Sequence, residues 1–414
     1  MNPYGINFPR RAFQAPGRNE RGNPVRLPDQ AAREISWSES DLERAFYSVG
    51  MNPDPIVRVK GLRIYREMME DDQVKACIEL RKQARLSVPY AIASAKEGDA
   101  GADEMAEFIK HALGRLRGNL QDTLYEIYSA IEFGFSLSEL VYEVLPDGPF
   151  AGKIGLRAIK TREPFAYDFK IDEHGNLLGL VYSGLTGTGR TIGGRAIGGV
   201  NLTTGAKTGE MGTFDNPFPP EKFIVYSYNA QFGNWYGRSD LIAGFRSWLS
   251  KKHIMKMWNV WLERYASPLL HITTKSGAIM HQRVKDAIDD FLETLSVKSG
   301  FRSSDDVLIT PIQFNAANGK SYEDAIEAHN RFIAHAVLCP NLLGYTQQPA
   351  VGSYALGKKH FDAFLWVLEK MGRDTSETIM GEQIINRLIS LNYPNVSLDM
   401  MPRFKFEGLE EESM

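Results

Sequence analysis

Between residues 240 and 265 the chain runs for about seven helical turns with apolar side chains on almost every side. At 100° per residue, Leu241, Phe245, Trp248, Met255 and Leu262 share one side, and Ile254, Met257, Trp261 and Tyr265 extend the apolar surface nearly around the helix. A helix on the surface of a globular domain needs one apolar stripe, whereas one that is apolar all round must be covered from several directions. Neighbouring copies of the same chain are the natural source of that extra cover.

The flanking sequence strengthens this expectation. Pro268 follows the helix. Residues 269–273, 282–295 and 307–311 then read as strand, helix and strand, a small βαβ unit. A second helix is expected over 321–338, opened by the capping pattern Ser321-Tyr-Glu-Asp324 and stopped by Cys339-Pro340. A polar loop bracketed by Gly344 and Gly352 leads to a last long helix over 354–391. There Phe361, Phe364, Leu365, Leu368, Met371, Met380, Ile384 and Leu388 recur at helical spacing, and Gly372 marks an expected bend. Two helices around a βαβ head form an antiparallel pair, with more apolar surface than one chain covers.

The texture upstream differs. Residues 1–39 are rich in Pro, Arg, Gly and Asn without apolar periodicity and read as an extended arm. Ser40-Asp-Leu-Glu43 is a capping box, and Asn52-Pro53-Asp54-Pro55 breaks the chain. Helices are expected over 62–86, 102–117 and 120–133, the last ending at Gly134. Branched and aromatic runs at 140–145, 154–159, 165–171, 177–182 and 223–228 read as strands. The Gly/Thr-rich stretch 183–216 lacks the GKS or GKT ending of a phosphate-binding loop and reads as a flexible loop or long hairpin. Residues 394–414 read as a tail, acidic from Glu407 onward.

Chemistry-bearing motifs are missing. The sequence has no HExxH, GxSxG or CxxC, and His329 and His335 stand six apart, poor spacing for a shared metal. No catalytic residue, metal or cofactor is assigned, and the chain reads as a non-enzyme. Cys77 and Cys339 sit among apolar neighbours and read as buried thiols, in keeping with a reducing compartment. No run of about 20 apolar residues suits a membrane span, and Arg10-Arg11 has no apolar core behind it to make a signal peptide. A net charge of −3 excludes a simple polybasic nucleic-acid binder. Cations nevertheless concentrate on the long helix: Arg246, Lys251, Lys252, His253, Lys256 and Arg264 stand against one internal acid, Glu263. Arg246, His253 and Arg264 share one narrow face and the lysines do not. Taken singly, such residues read as a solvated face with snorkelling stems. Repeated around a ring, they would meet phosphates without reading bases.

Several motifs, in order, carry a resemblance. Met68-x-x-Asp71-Asp72-x-Val74 precedes Arg81-Lys82-x-Ala84, and Glu132-Phe-Gly134-Phe-Ser136-x-x-Glu139-x-x-Tyr142 follows. Later come Tyr236-Gly-Arg-Ser-Asp-Leu241, Trp248, Lys251-Lys252, Trp258 and Leu262-Glu-Arg-Tyr-Ala-Ser-Pro268, then Gly352-Ser-Tyr-Ala-Leu356. Together they resemble the portal proteins of tailed bacteriophages, especially the Mu-like group, over roughly residues 55–392.

The resemblance implies an α+β portal-like fold. After the arm it implies a wing (40–235), stem helix 1 (236–266), a βαβ clip (267–317), stem helix 2 (318–341), a tunnel loop (342–353) and helices closing over the wing (354–393). Little chain follows, so no large crown is expected. It further implies a cyclic ring, dodecameric by resemblance, that passes double-stranded DNA in packaging and ejection. Terminase, the capsid or scaffold protein, and head-completion or tail adaptors would be its partners, with no membrane. Tyr345, Gln347 and Gln348 would line the channel with Gly344 and Gly352 as hinges, and Arg246, Lys251, Lys252, Lys256 and Arg264 would face DNA. Two alternatives stand: another virion structural or adaptor protein, and a nucleic-acid-processing enzyme with an unrecognised site.

Overall fold

The computed structural model describes residues 52–172, 174–182, 216–266, 269–274, 307–312, 317–339 and 354–406, with short helical pieces between 282 and 290. The expected arm, the Ser40 helix, the Gly/Thr-rich stretch, the loop of 340–353 and residues 407–414 lie outside these residues. The chain divides into two compact units, one of residues 1–245 with 334–414 and one of residues 246–333.

The first unit opens with helices, four of which are started by an Asx side chain. Asp54 caps α1 (Pro55–Lys60), accepting from the backbone N–H groups of Ile56 at 2.8 Å and Val57 at 3.3 Å. The single helix expected over 62–86 is two, α2 (Arg63–Met68) and α3 (Asp72–Leu86). Asp71 makes the break: its extended backbone lets the carboxylate accept from the N–H groups of Gln73 and Val74, which a continuous helix would have used internally. Asp99 and Asn119 cap α4 (Ala100–Gly114) and α5 (Leu120–Ile127) in the same way, and α6 (Ala130–Phe133) ends at Gly134.

Strands β2 (Phe135–Val144), β3 (Ile154–Arg162) and β6 (Phe223–Ser227) form an antiparallel sheet in the order β3-β2-β6. Strands β4 (Tyr167–Ile171) and β5 (Leu177–Tyr182) form a hairpin packed beside it. Phe135, Leu137, Phe169, Ile171, Leu180, Phe223, Val225 and Tyr236 make the core between them. The strand edges at 135–144 and 154–162 extend past the ranges expected from sequence because Ser136, Ser138 and Thr161 interrupt the apolar pattern. Ser138 and Thr161 hydrogen-bond each other across the pair at 2.9 Å.

The C-terminal helix protects both edges of this sheet. Helix α9 (Tyr354–Asp374) runs into a π-helical stretch (Thr375–Ile385) and then α10 (Asn386–Asn392). The side chain of Gln383 accepts from Val225 N at 2.7 Å and donates to Val225 O at 2.9 Å. Asn392 does the same for Ile154, at 2.7 and 2.8 Å. Each amide pairs with the N–H and C=O of one edge residue as a neighbouring strand would, so each edge is capped at that point. Gly372 is no bend: a Cβ there would lie 2.6 Å from Cζ of Arg85, so the glycine makes room for that guanidinium.

A fourth pairing escapes sequence reading. Strand β1 (Tyr90–Ala93) pairs antiparallel with β9 (Arg403–Phe406), so part of the expected tail belongs to the fold. Tyr90 stacks on Phe404 at 4.9 Å, and the Arg85 guanidinium lies 3.7 Å from the centroid of the Phe406 ring.

The second unit holds most of α7 (Leu241–Ala266), strands β7 (Leu269–Thr274) and β8 (Val307–Ile312), and most of α8 (Ala317–Ala336). Strands β7 and β8 pair antiparallel, and most of the helix expected over 282–295 lies outside the described residues. Helix α8 starts a turn earlier than the Ser321 capping pattern suggests. Gly319 faces Trp261, where a Cβ would lie 3.1 Å from the indole, and this packing keeps the first turn helical.

Candidate functional site

Helix α3 brings a cation to the interior. Arg81 continues the face of Val74, Cys77 and Ile78, and its side chain is fully buried. A buried guanidinium must find acceptors inside the protein. Its Nη1 donates to Asp240 Oδ2 at 2.6 Å and to Val337 O at 3.1 Å, and its Nη2 donates to Tyr228 Oη at 2.7 Å. The Tyr228 hydroxyl donates onward to Asp240 Oδ2 at 2.9 Å, and Asn229 Nδ2 donates to Oδ1 at 3.2 Å. Lys370 of α9 donates to Asn229 Oδ1 at 2.7 Å.

Asp240 immediately precedes α7 and Val337 immediately follows α8. Within the first unit, one side chain therefore ties the residue before α7 to the residue after α8. Each contact also suits the helix dipoles, with a carboxylate at an N-terminus and a cation at a C-terminal carbonyl. Burial alone would lower the Arg81 pKa; Tyr228 and Asp240 outweigh it and hold the group above its ordinary range. Burial pushes the Tyr228 hydroxyl up to about 12, with Arg81 opposing.

A second layer of contacts lies beside the first. Lys82 pairs with Glu132, both nearly buried, and burial raises the Glu132 carboxyl against the pull of Lys82. Ser239 Oγ donates to Glu132 O at 2.5 Å and accepts from Leu241 N at 3.0 Å, capping the start of α7. Asp240 N donates to Ile131 O at 3.1 Å. Two glycines permit the close passage. Gly134 has φ +88° and Gly237 has φ +57°, and a Cβ on Gly237 would lie 2.1 Å from Gly134 O. Three of the motifs that carry the resemblance, Arg81-Lys82, Glu132-Phe-Gly134 and Tyr236–Leu241, thus converge on one place.

The motifs by themselves do not mark Arg81, Asp240 or Tyr228 as parts of one site. The available signal was a pair of cations on the apolar face of a helix, which demands buried partners. Of the cations expected to face DNA, Arg246 and Lys256 are exposed. Lys252 is half-buried, with its ammonium 5.2 Å from the centroid of the Trp248 ring. Lys251 is a correction: it is 2% exposed. It continues the buried row Leu241, Gly244, Trp248 at alternating three- and four-residue steps. The side chain of Arg264 and the loop residues Gly344, Tyr345, Gln347, Gln348 and Gly352 lie outside the described residues.

Among the described residues, no group of three or more His, Cys, Asp or Glu side chains is placed to hold a metal, and no helix is long and apolar enough to cross a membrane.

No curated protein matches the chain in sequence. Among solved structures, it is similar to a chain from the neck of a native gene transfer agent particle, computed with C12 symmetry, with TM-score 0.56, 15% identity and 89% of each chain covered. A chain from the virion of the native gene transfer agent particle gives 0.53 at 15% identity, covering 84% of this chain and 85% of the other. At such identities the likeness concerns the fold. A sequence model of the portal protein of Mu bacteriophage matches residues 62–414, and the chain belongs to that portal family.

Proposed function

We propose that the chain is a subunit of a cyclic ring, twelve-fold by family resemblance, at the portal vertex of a phage head. Double-stranded DNA passes along the ring axis during packaging and ejection. The observation that carries this reading is the uncovered apolar surface of α7. Met255, Met257, Val260 and Leu262 are 44%, 62%, 49% and 44% exposed, and Phe332 on α8 is 56% exposed. Exposed apolar side chains on two sides of one helix, Met255 with Leu262 and Met257 with Val260, mark interaction surfaces, and contacts between unlike faces of identical subunits close a ring when the rotation fits.

Within the ring, Arg246, Lys252, Lys256 and Arg264 supply sequence-independent cations to the DNA backbone. The loop of 342–353, with Tyr345, Gln347 and Gln348 between the hinges Gly344 and Gly352, meets the duplex without base-reading pairs. Terminase docks on the clip side and supplies the ATP chemistry; capsid or scaffold protein and head-completion or tail adaptors bind elsewhere on the ring.

Electron microscopy of the purified protein tests the proposal. Rings with a central hole about as wide as duplex DNA support it, and a population of compact monomers at high concentration overturns it. Deleting residues 344–352 is expected to leave rings intact while impairing packaging or retention of DNA.

A further inference from the structure

Strand β9 has a neighbour on one side only. It pairs with β1 in a two-stranded sheet, and the backbone groups of its other edge meet no partner among the described residues. A cleft of about 690 Å³ runs along that open edge. Residues 402–406 form one wall and the C-terminal helix the other, while no residue of β1 lines it. The helical wall is low. Its π-helical stretch brings Ser376, Gly381 and Asn386 to the cleft at five-residue steps, with Gly372 one turn earlier. An open strand edge with room beside it is what an added strand requires.

The charges select the occupant. Side chains alternate along β9, so Arg403 and Lys405 share one face, where both are exposed. Neither has an ion-pair partner among the described residues. Phe404 and Phe406 share the other face, with ring centroids 5.1 Å apart, and Arg85 lies over the Phe406 ring. Arg85 is 4% exposed, and its Nε has no hydrogen-bond partner among the described residues. The strand wall is therefore cationic on both faces. The helical wall sets Arg373 against Glu369, Glu377 and Glu382, so an acidic occupant finds its partners on β9.

We infer that residues 409–412 of this chain fill the cleft as a third strand, turning back on β9 at Glu407-Gly408. The sequence specifies the register. A two-residue turn sets Leu409 opposite Phe406, Glu410 opposite Lys405, Glu411 opposite Phe404 and Glu412 opposite Arg403. Directly opposed side chains share a face, so both exposed cations gain a carboxylate and Phe406 gains an apolar neighbour. Glu411 falls on the face of Arg85, whose buried nitrogen needs an acceptor. Gly408 supplies the positive φ that such a turn demands. A loop one residue longer would set Leu409 against Lys405 and Glu410 against Phe404, losing these matches. An open edge of this kind templates strands of other molecules, and a segment tethered two residues away outcompetes them by its effective concentration.

Hydrogen–deuterium exchange of the full-length chain tests the pairing. The amides of 409–412 should exchange about tenfold more slowly than the same sequence in an unstructured peptide. Arg403→Glu with Lys405→Glu should abolish that protection and leave β2 and β3 unchanged, since both side chains are exposed. Adding Glu410→Lys and Glu412→Arg should restore it. Exchange of 409–412 at the unstructured rate in the native chain would overturn the inference without any variant. Protection that survives the double charge reversal would also overturn it. So would protection confined to concentrations at which chains associate, which would give the cleft to a segment of another subunit.

Discussion

The two ends of the helical hairpin and its middle treat burial in opposite ways. At the root, charges go inside: Arg81 is fully buried and Lys82 is 3% exposed, each matched by carboxylates and carbonyls of the same chain. Along α7 beyond the root, apolar residues stay outside: Met257 is 62% exposed and Val260 49%. A buried charge is tolerable only where its partners arrive with it. Exposed apolar side chains are tolerable where the cover comes from another molecule. The root is completed by folding, whereas the proposed ring is what would cover the apolar side chains of the hairpin.

The largest expected effect breaks the first half of that contrast. Arg81→Leu leaves Asp240 inside without its cation and should cost about 3–5 kcal/mol in urea or thermal unfolding of the isolated chain. Adding Asp240→Asn should recover part of the loss, because the remaining amide carries no charge. A cost under about 1 kcal/mol, near that of a neutral hydrogen bond, would show that the root does not depend on the ion pair. Next in size is Gly237→Ala. The added Cβ meets Gly134 O and Tyr228 O while the backbone sits at φ +57°, and the loss should be about 2 kcal/mol. Gly233→Ala is the control, since its φ is +70° and its added Cβ meets nothing within 4 Å. The difference between the two isolates the close passage of the chains from backbone strain.

The contrast also explains what was legible in the sequence. Helix α7 was expected over 240–265 and runs Leu241–Ala266, because a continuous 3.6-residue period is a local signal. Its excess of apolar positions foretold the uncovered face. The root was not legible in the same way. Arg81 and Asp240 are 159 positions apart, and nothing local says that a helical arginine will meet a residue just before another helix. Strands β1 and β9 are four residues each and pair across more than 300 positions, too short for periodicity to identify. The Ser321 capping pattern was outweighed by Gly319 packing against Trp261. Lys251 was assigned by residue type, whereas its position in the Leu241, Gly244, Trp248 row decides its burial.

Smaller effects on the isolated chain sharpen the second half of the contrast. Met257→Glu together with Val260→Glu should change its unfolding free energy by less than about 0.5 kcal/mol, as for exposed positions generally. Sedimentation should nevertheless show that rings no longer form, since the new carboxylates would be buried between subunits. A variant that still forms rings would place the subunit contact on another face.

The smallest expected effect concerns the cations, and the salt dependence of DNA binding by assembled rings measures it. Each phosphate contact contributes about 0.9 to the slope of log K against log salt. Arg246→Ala and Lys256→Ala should each lower that slope by up to this amount per subunit engaged, at unchanged stability, because both side chains are exposed. Lys251→Met should leave the slope alone, because a side chain 2% exposed does not reach a phosphate. Equal losses at positions 251 and 256 would mean that α7 turns its buried row toward the channel on assembly. The comparison between root and hairpin face would then hold for the single chain and fail for the ring.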